Sequence, residues 1–126
     1  MRLIMMGTGP FGAPTFRELF DTHHQVLLLV TGPVRPASGR AAPPASPMRD
    51  IAHEHGIPIF APENINTPEA QAQLAACGAD LLIVCDYGQI LSAQTLATAR
   101  LGGMNLHGSL LPKYRGAAPI NWALYH

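Results

Sequence analysis

The sequence predicts an α/β fold, in which one domain is built around a doubly wound, mostly parallel sheet of the Rossmann-like kind. Three strand–helix–strand units follow one another along the chain, and units of this kind build parallel sheets. The strand segments are continuous apolar runs, as expected for strands that are buried on both faces. Hydrophobic residues make up 48% of the 126 residues, which is enough for one packed core.

The first half of the chain contains two strands, one helix and a long loop. The first strand is predicted at residues 2–6, and the glycines of residues 7–12 separate it from a helix over residues 13–21. The apolar run at residues 25–31 predicts the second strand. Residues 32–47 include five prolines, which exclude a helix or a central strand and predict a long loop.

The second half alternates helices and strands. The predicted elements are a helix at residues 46–55, a strand at 57–60, a helix at 67–77, a strand at 79–85, a helix at 92–100 and a strand at 104–107. Pro58 places the third strand near the sheet edge, because proline cannot donate to a central ladder. Thr67 and Ser92 are predicted to be the N-caps of their helices.

The glycines at positions 7, 9 and 12 form a G-x-G-x-x-G pattern after a strand, which is typical of dinucleotide-binding turns. Two features oppose a dinucleotide here. The second strand ends in Thr31 and Gly32, where an acidic residue normally binds the ribose, and Pro10 removes a backbone N–H from the turn. We expect that the glycines only let strand and helix pack closely. A non-catalytic nucleotide-binding module stays open as an alternative.

Composition limits the partners and the compartment. The chain has 8 basic and 8 acidic residues, so a contact with RNA must be local or come from elsewhere in the full protein. Cys77 and Cys85 lack C-x-x-C spacing and predict reduced thiols in a cytoplasmic protein. His53 and His55 are two apart on a helix and face different ways, so no metal is expected. No apolar run approaches the ~20 residues that span a membrane, no signal peptide is recognisable, and we expect a monomer.

The sharpest chemical signal lies at residues 104–107. On a strand, Met104 and Leu106 point to one face, and Asn105 and His107 point to the other. Ligands of open α/β sheets bind beyond the carboxyl ends of the strands. An amide and an imidazole at that edge can both donate hydrogen bonds to an oxygen that gains negative charge during acyl transfer. The pair therefore predicts an acyl-transfer site.

Residues 105–112 read NLHGSLLP, and residues 114–120 read YRGAAPI. This long motif resembles the folate-dependent formyltransferases, and within that family the N-terminal part of the methionyl-tRNA formyltransferases. A weaker likeness extends over the whole chain. The resemblance implies that residues 1–126 are an N-terminal formyltransferase catalytic domain, incomplete at its C-terminal end and without the second domain of the family. Members of the family continue with a catalytic aspartate, so we expect this part to be inactive alone.

The resemblance also implies a reaction, which is formyl transfer from 10-formyltetrahydrofolate to the amino group of initiator methionyl-tRNA in translation initiation. Asn105 is then the donor to the formyl oxygen, and His107 is a second donor or the proton shuttle. By the same resemblance, two turns bind the folate through Tyr87, Gly88, Ile90, Leu91, Ser109, Leu110, Leu111 and Pro112. Arg35 and Arg40 of the proline-rich loop are implied to contact the tRNA.

Two other assignments within the family stay open. One is a formyltransferase for a sugar-nucleotide amine, which has a very similar motif, and the other is a formyl-folate hydrolase. The proline-rich loop, with Arg35-Pro36 and Ser46-Pro47, is more similar to that of the tRNA enzymes. Asp86 stands where family members more often carry a small residue. We interpret it as a turn-forming residue, with a pocket carboxylate as the alternative.

Overall fold

A computed structural model describes residues 1–34 and 46–106. The predicted tRNA contacts Arg35 and Arg40, and the motif from His107 onward, lie outside the described residues. The strands are β1 (Arg2–Met6), β2 (Gln25–Val30), β3 (Ile59–Phe60), β4 (Leu81–Cys85) and β5 (Gly103–Leu106). They pair in parallel in the spatial order β3-β2-β1-β4-β5. The predicted parallel sheet is confirmed, and its order reverses direction between β1 and β4.

The helices lie between the strands and begin with strong local signals. They are α1 (Ala13–Leu19), α2 (Pro47–Glu54), α3 (Pro68–Ala76) and α4 (Ala93–Leu96), and a single 3-10 turn at Pro10–Gly12 precedes α1. The predicted N-caps are confirmed, because the side chain of Thr67 accepts a hydrogen bond from the N–H of Ala70 and that of Ser92 accepts one from Thr95. Among the described helices, none is long and apolar enough to cross a bilayer.

Several elements are shorter than predicted, among them α1 and β4 by two residues each, and for β3 and α4 backbone hydrogen bonds explain the difference. The N–H of Ile57 donates to the carbonyl of Ala52, so this residue closes α2 instead of entering the strand. Pro58 has no N–H, and β3 is therefore only two residues long at the sheet edge. Helix α4 stops at Leu96 because the chain turns back to the sheet, where the N–H of Arg100 reaches the carbonyl of Ala79.

The core consists of two apolar layers, one on each face of the sheet. Strand β1 is buried on both faces, as a central parallel strand should be. One layer includes Ile4, Met6, Val30, Val84 and Leu74 of α3, and we call that side the α3 face. The other includes Leu3, Met5, Leu29, Ile83 and Phe16 of α1, and we call it the α1 face. Each fully buried side chain of this size stabilises the fold by about 1.5–3 kcal/mol relative to exposure.

Candidate functional site at the carboxyl edge of the sheet

An open pocket of about 540 Å³ lies beyond the carboxyl ends of the strands. It sits where the strand order reverses between β1 and β4, which is the usual ligand position in open α/β sheets. Loops that follow four strands line it, through Thr8, Gly9, Gly32, Pro33, Glu63, Asp86, Tyr87, Gly88 and Gln89. This pocket is therefore the candidate site. Within the described residues, no three His, Cys, Asp or Glu side chains converge as a metal site would require.

The glycines after β1 bring that loop into direct contact with the end of β4. A β-carbon on Gly7 would lie 2.5 Å from the carbonyl oxygen of Cys85, and one on Gly12 would lie 3.3 Å from the β-carbon of Cys85. Burial raises the pKa of Cys85, so its free thiol stays neutral in this contact. The geometry supports the interpretation that the glycines serve close packing.

Asp86 joins the loops that follow β1 and β4. It is the one non-glycine residue with positive φ in the described part of the chain, at φ 57°, a conformation that aspartate tolerates. Its carbonyl oxygen accepts hydrogen bonds from the N–H groups of Thr8 at 3.0 Å and Gly9 at 3.4 Å. Its carboxylate lies directly against Gly9, on the pocket wall. The turn-forming interpretation of Asp86 is confirmed, and the same residue also gives the pocket a carboxylate.

The same contacts oppose a dinucleotide at the glycine-rich turn. A pyrophosphate at such a turn needs free backbone N–H groups. Those of Thr8 and Gly9 already bond to the carbonyl of Asp86. The carboxylate of Asp86 against Gly9 also places negative charge where the phosphates would lie. The non-catalytic nucleotide-binding alternative is therefore disfavoured.

We expect no saturable binding when the full-length protein is titrated with NAD in a calorimeter. Two backbone N–H groups are already bonded, and a carboxylate repels the pyrophosphate. Asp86→Asn is the matched variant, since it removes the charge and keeps a residue that tolerates the left-handed conformation. It is expected to remain without NAD binding, because the N–H groups stay bonded to the carbonyl of residue 86. Micromolar binding by the unmodified protein would contradict this interpretation of the turn.

The turn after β4 contains four of the predicted folate-binding residues, and the structure places them differently. Tyr87 and Gly88 line the pocket. Ile90 is 62% exposed, whereas its neighbour Leu91 is only 5% exposed and belongs to the core of the α3 face. The other four, residues 109–112, lie outside the described residues. The folate contacts therefore stay predictions.

The hydroxyl of Tyr87 is unusual for a buried polar group. Its ring packs against the core of the α3 face, and its oxygen is buried without a hydrogen-bond partner among the described residues. Burial raises the pKa of Tyr87 to about 12, so the phenol keeps its proton at neutral pH. A buried hydroxyl without a partner costs about 1–3 kcal/mol of stability.

Two amide side chains that the sequence did not single out join this turn to the loop after β3. Asn66 donates to the carbonyl of Ile90 at 2.8 Å and accepts from the N–H of Ser92 at 2.9 Å. Gln89 accepts from the N–H of Ile65 at 2.8 Å and donates to a carbonyl of the same loop. The partners in these hydrogen bonds are more than twenty residues apart in the sequence, so no local sequence pattern predicts the bonds.

Asn105 ends a row of residues that crosses the whole sheet. The register pairs Asn105 with Val84, Val84 with Met6, and Met6 with Val30. Leu106 packs on the opposite, α1 face, so alternation directs Asn105 to the α3 face, where Tyr87 also packs. The predicted alternation of Asn105 and Leu106 is confirmed. Asn105 is half-buried, a polar side chain at the end of an apolar row.

The whole chain is similar in sequence to known proteins. Residues 1–126 match the family model described as "Formyl transferase". A methionyl-tRNA formyltransferase of Rhodopirellula baltica is 50% identical over 98% of this chain and 38% of its own length. One of Thiobacillus denitrificans is 45% identical over 98% of this chain and 40% of its own. The chain thus spans about two fifths of the length of these curated relatives, and the predicted resemblance is confirmed.

Solved structures match at lower identity. A phosphoribosylglycinamide formyltransferase from Bacillus halodurans superposes with a TM-score of 0.65 at 20% identity, covering 89% of this chain and 58% of that one. A glycinamide ribonucleotide transformylase from Geobacillus kaustophilus has a TM-score of 0.66 at 20% identity, covering 92% of this chain and 62% of the other. At this identity the likeness shows the fold alone, and the predicted formyltransferase-type fold is confirmed.

Proposed function

Because this chain belongs to the formyl transferase family, we propose that it is the N-terminal part of an enzyme that transfers a formyl group from 10-formyltetrahydrofolate to the amino group of methionyl-tRNA. The observation on which this rests is an identity of 44–50% to methionyl-tRNA formyltransferases across 98% of the chain. The solved structures that are named for glycinamide ribonucleotide, also called phosphoribosylglycinamide, share only 19–20% identity. This contrast favours an aminoacyl-tRNA as the acceptor.

The turn after β4 fits a folate. A pterin ring has apolar faces and polar edges, so it needs both kinds of contact. Ile90 offers an exposed apolar side chain, and Asp86 and Gln89 bring polar groups to the pocket wall. Gly88 lines the pocket without a side chain and leaves room for a ring. These features support the proposal that residues 87–91 contribute to the formyl-donor site, with residues 109–112 as the other part.

Asn105 supplies the electrostatic part of the chemistry. Attack of an amine on the formyl carbon places negative charge on the formyl oxygen, and a fixed N–H donor stabilises that charge. The backbone of Asn105 is held in register with Val84, and its side chain is half-buried, so its amide is partly shielded from water. His107 takes the proton of the attacking amine, since an imidazole titrates near neutral pH, and the leaving folate nitrogen regains one.

The tRNA is bound through local contacts in this proposal. The chain carries no net charge, so it has no broad positive field. Arg35 and Arg40 lie in the proline-rich loop, and guanidinium groups form strong paired hydrogen bonds with phosphates. We therefore assign them contacts with the phosphates of methionyl-tRNA.

The experiment that tests the proposal offers several acceptors to the full-length protein. Label from formyl-labelled 10-formyltetrahydrofolate is followed in parallel reactions with methionyl-tRNA, with a sugar-nucleotide amine and without an acceptor. We expect label on methionyl-tRNA alone. Preferential label on the sugar nucleotide would establish the amino-sugar alternative, and release of formate without an acceptor would establish the hydrolase.

A further inference from the structure

We propose that Asn66 is a positioning residue for the formyl donor, and that it acts through the turn at residues 86–92, which we call the donor turn. The inference rests on the proposed function, because it assigns the donor turn to the formyl-folate. It adds a residue that lies in another loop. Neither Asn66 nor its partners Ile90 and Ser92 line the pocket. Asn66 acts by holding the end of the turn whose earlier residues, Tyr87 to Gln89, form part of the pocket wall.

The side chain of Asn66 is bonded on both of its polar atoms. Its Nδ2 donates to the carbonyl of Ile90 at 2.8 Å. Its Oδ1 accepts from the N–H of Ser92 at 2.9 Å and from the hydroxyl of Thr95 at 2.7 Å. One side chain therefore fixes the last part of the donor turn and the first turn of α4 together.

Gln89 also joins the donor turn to the loop after β3, in this case through a side chain of the turn itself. Its Oε1 accepts from the N–H of Ile65 at 2.8 Å, and its Nε2 donates to the carbonyl of Pro62 at 3.3 Å. Among the described strands the sheet provides no such link, because β3 pairs with β2, while β4 pairs with β1 and β5. The two amides thus set the distance between loops that follow strands on opposite sides of β1.

The hydrogen bonds of Asn66 determine the orientation of Ile90. Asn66 holds the Ile90 carbonyl, and Leu91 beside it is anchored in the core. The Ile90 side chain is left 62% exposed. Exposure of an isoleucine side chain to water is unfavourable. Because its backbone is fixed, we infer that this side chain forms a preorganised surface for an apolar face of a ligand. Without Asn66, the turn keeps its anchor at Leu91 but loses the bond that orients Ile90.

The test measures donor binding by the full-length protein. We compare the Kd for tetrahydrofolate and the KM for the formyl donor in the unmodified protein, Asn66→Ala and Asn66→Asp. The aspartate variant is isosteric and keeps both acceptor bonds, but it replaces the donor to the Ile90 carbonyl with an oxygen. We expect both constants to rise by about fivefold or more, which corresponds to the loss of one hydrogen bond. The KM for methionyl-tRNA is expected to stay unchanged, and kcat to fall far less than donor affinity.

Gln73→Ala is the matched control. Gln73 carries the same kind of amide, lies exposed on α3, and in the described part of the chain only its backbone carbonyl, not its side chain, has a bond beyond the helix. We expect its folate constants to equal those of the unmodified protein. Unchanged folate constants in both Asn66 variants, or an equal loss in Gln73→Ala, would overturn the positioning role.

Failure of the proposed function gives a different result. If the unmodified protein binds tetrahydrofolate but does not formylate methionyl-tRNA, the acceptor assignment fails, and the Kd values still decide the role of Asn66. If the unmodified protein does not bind tetrahydrofolate at all, the donor-turn assignment fails and the inference falls with it. Thermal unfolding of each variant separates loss of fold from loss of orientation, because only the latter leaves the unfolding temperature near that of the unmodified protein.

Discussion

Replacing Asn105 with alanine in the full-length protein is expected to lower the turnover number for formyl transfer by about 100- to 1000-fold, the usual effect of removing one oxyanion donor. Asn105 ends an otherwise apolar row across the sheet, in register with Val84. The β4–β5 ladder fixes its backbone, which limits the positions that its amide can take. A donor that is fixed in advance stabilises the developing charge without reorganisation, and its loss therefore appears mainly in kcat.

Met104→Ala provides the control for this change. Met104 is the preceding residue of β5, is 45% exposed and points to the other face of the sheet. We expect near-normal turnover for it, whereas His107→Ala should lose activity to a degree similar to Asn105→Ala. The measurement is steady-state formyl transfer with both substrates saturating. Near-normal turnover in both Asn105→Ala and His107→Ala would end the assignment of this motif to the chemistry.

Gly7→Ala is expected to destabilise the fold by about 1–3 kcal/mol or more, as overpacking of a close contact does. The new β-carbon would lie 2.5 Å from the carbonyl oxygen of Cys85, and that oxygen belongs to the backbone of β4. Gly7 cannot move away freely, because its N–H donates to the carbonyl of Val30 at 2.9 Å. Gly7 is thus held between the ends of β2 and β4. To make room for a β-carbon, either the hydrogen bond to Val30 or the close contact with Cys85 must be lost.

Urea unfolding of the full-length protein measures this effect, with Gly88→Ala as the control. A β-carbon on Gly88 would meet no atom of residues 1–34 and 46–106 within 4 Å, and its φ is not in the left-handed region. We expect that control to change the free energy of unfolding by less than about 0.5 kcal/mol, as most open surface sites do. Equal stability of Gly7→Ala and the unmodified protein would show that the loop after β1 is not packed on β4 in the way described.

Local signals explain why most of the fold could be predicted. The apolar run of β1 begins and ends where predicted, and the caps at Thr67 and Ser92 act through bonds within one helical turn. The elements that differ are those whose ends are set by distant partners. Arg100 lies outside its predicted helix because its N–H donates to the carbonyl of Ala79. That partner is twenty-one residues away, so the hydrophobic periodicity of the sequence does not reveal it.

The same distinction applies to the candidate site. The alternation of Asn105 and Leu106 follows from strand geometry and was predictable. The amide of Asn66 was not, since a polar residue in a loop is usually solvated, and its role appears only when the loop after β3 meets the turn after β4. The carboxylate of Asp86 against Gly9 is likewise a contact between separate loops. Strand geometry was therefore predictable from the sequence, whereas contacts between distant loops were not.

The most direct test follows label from 10-formyltetrahydrofolate in the full-length protein with two forms of one acceptor, methionyl-tRNA and methionyl-tRNA acetylated on its amino group. The proposal predicts rapid transfer of label to the free amine and none to the blocked one. The same reaction with His107→Ala should transfer label far more slowly, because the attacking amine loses its proton acceptor. Absence of label from methionyl-tRNA, or equal labelling of the acetylated form, would contradict formyl transfer to that amine.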